Sequence, residues 1–167
     1  MAQITEDCVS FETAKLLKEK GFDGKCARVW AEEKGNEPIR MGMSSFVEGE
    51  EVADKETVEA ATDYVNEYMF KNPCVAYLCP TLQMAMKWLR EEHKKFIDIY
   101  SYSDIYFDYI HGWSFIIRPL RYIEGIGWNI DDSYKAVIAS EASDDHVYPT
   151  YEDACDAAIK WCLEKLV

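Results

Sequence analysis

Between Thr81 and Lys95 the apolar positions recur at helical spacing: at about 100° per residue, Leu82, Ala85, Met86 and Leu89 share one side, flanked by Met84 and Trp88. Gln83, Lys87, Arg90, Glu91, Lys94 and Lys95 gather opposite, so one side suits a core and the other water. Phe96 to Tyr102 follows at once, with Ile97 and Ile99 alternating against Asp98 in the period of a strand. Trp113 to Arg118 is a second apolar strand, which Pro119 is expected to end. Glu124 to Gly127 reads as a turn-rich loop leading through Trp128, Asp131 and Asp132 to a strand at Tyr134 to Ala139. Thr150 then opens a last helix with a variant capping box in which Asp153 stands where Glu is usual. Its expected buried side is Tyr151, Ala154, Cys155, Ala158, Ile159, Cys162 and Leu166, flanked by Trp161.

The first half is less regular. Ser10 is an N-cap for a helix over residues 11–20, in which Phe11, Ala14 and Leu17 share a face before Gly21 stops it. Lys25 to Glu32 and Ile39 to Met43 flank a Gly/Asn/Pro turn and predict a hairpin. Asp54 caps another helix, with Val58, Ala61, Thr62, Val65 and Met69 inward and Glu56, Glu59, Asp63 and Glu67 outward, until Asn72 and Pro73 end it. Cys74 to Leu78 suits a strand or an extended lead into the helix at Thr81.

The order helix, strands, helix predicts an α+β fold: an antiparallel sheet of about three strands covered by the helices at 81–95 and 151–165. The N-terminal helix and the hairpin-helix segment would sit beside it, in one domain spanning residues 1–167. That length buries about 70% of the unfolded surface, enough for a core.

Charge narrows the partners. With 31 acidic and 18 basic residues the formal net charge is −13, which repels nucleic-acid backbones and anionic membranes. No apolar run approaches the roughly 18 residues that span a bilayer, and the N-terminus lacks the features of a signal peptide, so the expectation is a cytoplasmic protein with no membrane partner. The cysteines at 8, 26, 74, 79, 155 and 162 are then expected as thiols, with Cys155 and Cys162 in the core.

No catalytic or metal set emerges, and no cofactor is implied. Cys74 and Cys79 have no second pair at ligand spacing, and His93, His111 and His146 are scattered. His93 beside Glu92, and Asp144, Asp145 and His146 in a polar loop, are the candidates for an acid-base or Cys/His site. The glycines at 125 and 127 lead toward a strand rather than a helix, against a phosphate loop. The helix, three strands, helix order resembles the double-stranded-RNA-binding domain in topology alone, and Glu152, Asp153 and Asp156 stand where that family would need lysines.

Three stretches, Val9 to Asp23, Cys79 to Glu91 and Thr150 to Ala154, together resemble a family of small uncharacterised proteins from gut anaerobic bacteria and their phages and prophages. In that family the first two are joined by a shorter link, which implies that residues 24–73 are an insertion. The resemblance implies a mobile-element origin and assigns no site.

These observations favour an interaction module that binds another protein. Tyr and Trp are efficient interface anchors, and Tyr100, Tyr102, Tyr106, Phe107, Tyr109 and Trp113 are the densest aromatic cluster. The alternatives are a small enzyme using a Cys/His or carboxylate site, and an acidic nucleic-acid mimic presenting the helix at 55–70.

Overall fold

A computed structural model describes residues 7–68, 72–103, 110–131 and 147–167. The chain forms two compact units, residues 1–84 and 85–167. Together they hold α1 (Phe11–Glu19), β1 (Arg28–Glu33), β2 (Ile39–Gly42), α2 (Met43–Phe46), α3 (Lys55–Tyr68), β3 (Cys74–Leu78), α4 (Leu82–Glu92), β4 (Lys95–Ser103), β5 (Ile110–Ile123), β6 (Gly127–Ile130) and α5 (Tyr151–Lys165). The fold is α+β, with two three-stranded antiparallel sheets among the described residues.

In the first unit the strand order is β2-β1-β3. The expected hairpin forms, with Val29 opposite Met41 and Ala31 opposite Ile39. Cys74 to Leu78 is a strand, and it joins the hairpin by pairing with β1, Ala31 opposite Ala76. Residues directly opposite share a face, so Val29, Ala31, Ile39, Met41, Ala76 and Leu78 lie on one side of the sheet and Trp30, Arg40 and Tyr77 on the other. Ser10 caps α1 by accepting from Thr13 N at 3.3 Å, and Phe11 stands edge-on to Trp30 and Tyr77 at 5.9 and 5.5 Å. Asp54 caps α3 through Thr57 N at 3.0 Å. That helix is tied to the sheet by Asn66, whose Oδ1 accepts from Cys74 N at 2.6 Å while its Nδ2 donates to Cys74 O at 2.9 Å. The amide thus supplies β3 with the donor and acceptor that a neighbouring strand would have offered.

In the second unit the order is β4-β5-β6, and α5 lies against β4 and β5. Its Ala154, Cys155, Ala158, Ile159, Cys162 and Leu163 are fully buried, as are Leu89, Ile117 and Ala85. Cys155 and Cys162 are core residues as the spacing indicates, while Leu163 takes the buried place expected of Leu166.

Three local expectations are corrected. Pro119 does not end β5, which continues to Ile123. The reason is a change of partner: Pro119 faces Lys95, the first residue of β4, and from Leu120 onward the strand pairs with β6. A residue without an N–H is tolerated where one ladder stops and the next begins. The loop at Glu124 to Gly127 is a hairpin turn with Gly125 and Gly127 at φ +80° and +99°, and Trp128 is in β6 rather than on the way to a later strand. The helix expected to reach Lys95 stops at Glu92, with Lys94 at φ 57° turning the chain into β4. The strand expected at Tyr134 to Ala139 lies outside the described residues.

Candidate functional site

The sequence-predicted aromatic cluster divides. Tyr106, Phe107 and Tyr109 lie outside the described residues, and only the backbone of Tyr102 is described. Tyr100 and Trp113 are half-buried. Trp113 stands edge-on to Tyr151 at 5.3 Å and exchanges two backbone hydrogen bonds of 2.8 Å with Tyr148, so it fastens the approach to α5 onto β5. His93 is half-buried, its ring edge-on to Trp88 at 4.5 Å. Asp144, Asp145 and His146 lie outside the described residues. Among the described residues no three His, Cys, Asp or Glu side chains are grouped to hold a metal ion.

The geometry able to hold a partner is in the first unit. Between α3, the α2 turn and the Ala31 side of the sheet is a cleft of about 850 Å³, within the usual range for ligand sites. Ala31, Met41, Phe46, Val47, Tyr64 and Val65 give it an apolar lining, with Ser44, Ser45 and Glu48 at its polar edge. By contrast, the void between α1 and α3 near Ala76 amounts to about 10 Å³, room for about one water. Tyr64 remains 60% exposed although it lines the cleft, which is unusual for a large side chain beside apolar surface.

Each wall follows from local sequence. Met43 to Phe46 make a single helical turn closed by Val47 N donating to Met43 O at 2.8 Å, which delivers Phe46 and Val47 to the cleft. On α3, Ala61, Tyr64 and Val65 are neighbours at three- and four-residue spacing. Cys74 also lines the cleft, its thiol pushed up by burial and by the nearby Glu33, so it presents a neutral apolar surface.

The segment that supplies most of the lining is acidic. Residues 44–68 include Glu48, Glu50, Glu51, Asp54, Glu56, Glu59, Asp63 and Glu67 against one base, Lys55. Glu48, Glu56, Glu59, Asp63 and Glu67 are exposed. Asp54 is held below the usual carboxylate range by hydrogen bonds from Thr57 N and Thr57 Oγ1, and so stays charged as a cap.

The outward acids of α3 were visible from their spacing. The cleft was not, because its lining joins Ala31 of β1 with Cys74 of β3, which only the pairing of those strands brings together. No family model, curated protein or solved structure matches the chain. No helix among the described residues is long and apolar enough to cross a membrane.

Proposed function

We propose that this is a small acidic protein-interaction module whose cleft at α3 takes a basic, apolar segment of another protein. The observation that carries the reading is the pairing of an apolar cleft of about 850 Å³ with a flanking segment, residues 44–68, that holds eight acids and one lysine. Apolar lining supplies affinity by removing the partner's side chains from water. The acids select the partner's sign and steer its approach. A segment with apolar anchors at helical spacing and Lys or Arg between them satisfies both demands, in the manner of helix-in-groove recognition. The proposal also takes the protein as cytoplasmic and of phage or prophage origin, in keeping with its family resemblance.

The test is titration with a synthetic amphipathic peptide of Leu and Lys, followed by backbone amide NMR shifts, beside the same peptide with Glu for Lys. The expected result is shifts concentrated at residues 44–48 and 61–67 with the Lys peptide alone. The double variant Glu48→Lys with Glu67→Lys should weaken binding by about tenfold or more, and Tyr64→Ser should weaken it in an otherwise folded protein. Equal binding of both peptides, or shifts located in the second unit, would overturn the reading.

A further inference from the structure

Residues 7–9 run antiparallel to residues 80–82: Val9 N donates to Pro80 O at 3.1 Å, Leu82 N donates to Asp7 O at 3.0 Å, and Cys8 lies opposite Thr81. Diagonal residues two positions along a paired strand are on the same face. Cys79 therefore comes to the side of Cys8, near enough for the two thiols to perturb one another. Cys79 is held in place by its own N–H, which donates to Arg28 O at 3.0 Å, and its sulfur is 3.8 Å from Val9 O. Arg28 Nη1 is 3.7 Å from the Cys8 sulfur. Two cysteines and a guanidinium thus converge from three separate stretches of chain.

The two thiols are not equivalent. Cys8 is partly exposed, whereas Cys79 is 2% exposed. The hydrogen bond from Cys79 draws the Cys8 thiol down to about 6, aided by the charges of Arg28 and Arg40 and by the Arg28 hydrogen bond, and opposed by burial. That same bond, then burial, then the Cys8 charge push the Cys79 thiol up. The arrangement thus favours the thiolate at Cys8 and the protonated thiol at Cys79.

We propose that Cys8 and Cys79 are a redox couple, Cys8 attacking a small hydroperoxide and Cys79 resolving the product to a disulfide. Exposure fixes the order, since a solute reaches Cys8 first. A small oxidant suits a partly exposed sulfur better than a bulky disulfide. In the first step the Cys8 thiolate attacks one oxygen of hydrogen peroxide. An S–O bond forms, the O–O bond breaks, and the hydroxide that leaves is neutralised to water by the proton that Cys8 released to the buffer on ionising, giving Cys8 sulfenic acid. In the second step the Cys79 sulfur attacks the Cys8 sulfur. The S–S bond forms, the S–O bond breaks, and the departing hydroxide takes the Cys79 proton as water. Two thiols are oxidised by two electrons in total and one peroxide is reduced to two waters. Oxidation of Cys8 also removes the negative charge that held the proton on Cys79, so the resolving thiol becomes more acidic when it is needed.

The test uses the reduced full-length chain and stoichiometric hydrogen peroxide, read by intact mass and peptide mapping. The expected result is a loss of about 2 Da with the Cys8 and Cys79 peptides joined. Cys79→Ala should stop at a sulfenic acid that dimedone captures on Cys8, and Cys8→Ala should leave Cys79 unmodified. Because Cys79 is buried, a second measurement guards against misfolding: the pH profile of Cys8 alkylation by iodoacetamide. In the unsubstituted chain its midpoint should lie near 6. In Arg28→Met the midpoint should move toward the ordinary thiol value of about 8.5. A disulfide between other cysteines, no disulfide at all, or an ordinary alkylation midpoint in the unsubstituted chain would overturn the proposal.

Discussion

Asn66 does with one amide what a strand would do with its backbone, since both its side-chain polar atoms are spent on Cys74 N and O. Asn66→Ala leaves that donor and acceptor at the edge of β3 without their partner, a cost of about 1–3 kcal/mol by the usual penalty for a lost buried partner. A denaturant melt of the variant should show that loss, and peptide affinity at the cleft should fall with it, because Cys74 lines the cleft. The buried thiols make a separate pH prediction. Burial pushes Cys26 and Cys162 up to about 12 and Cys155 up to about 11, well above the ordinary thiol range. A raised folded-state value means stability that is whole below the unfolded value and is lost as pH rises through the folded one. Stability should therefore decline between about pH 9 and pH 12, by about 1.4 kcal/mol per pH unit for each proton the folded state retains. In Cys162→Ala that slope should be shallower by one proton, measured as unfolding free energy against pH. An unchanged slope would mean that Cys162 titrates normally in the fold. Cys8 has the opposite sign: its value is lowered, so its contribution is present at high pH and is lost as pH falls toward about 6.

Among the elements, β5 is the one on which its unit depends, and Gly112 is its tightest point. A Cβ there would stand 2.6 Å from Tyr148 O and meet Val147 as well. Gly112→Ala must therefore part the Trp113–Tyr148 bridge, with a cost of about 1–3 kcal/mol, whereas Ile126→Ser at the exposed β5–β6 turn should change stability by less than about 0.5 kcal/mol. Comparable losses in the two variants would refute this account of β5. The same strand shows how far the elements were legible in the sequence. Helices α1, α3 and α5 could be read because each begins with a capping side chain and carries its apolar residues at helical period, both local properties. Pro119 misled because a missing N–H ends a strand only where a partner needs it, and the partners of β5 change at that residue. β6 was hidden because four residues with two glycines in or beside them resemble a turn. The candidate sites are less legible still. Ala31 meets Ala76, and Val9 O meets the Cys79 sulfur, across long stretches of chain whose pairing no local pattern announces.

At the scale of the whole molecule the governing quantity is charge. With 31 acids against 18 bases, at least 13 carboxylates cannot each have a cation of their own, and pairs such as Arg118 with Asp98 at 3.6 Å are partly exposed and individually weak. Self-repulsion then works against folding, while the same field attracts a basic partner. Salt should move these two properties in opposite directions. Raising ionic strength from about 0.01 M to 0.15 M shortens the screening length from about 30 Å to about 8 Å. Repulsion between acids along residues 44–68 falls, and so does their pull on the Lys peptide. Thermal unfolding midpoint should rise across that range while peptide affinity falls, the two measured on one preparation. In Glu48→Lys with Glu67→Lys both responses should be smaller, since two acids have become two bases. If the melting midpoint rose with salt while affinity stayed constant, the net charge would still destabilise the fold, but the cleft would be binding through its apolar lining alone. The acids around the cleft would then have no part in choosing the partner.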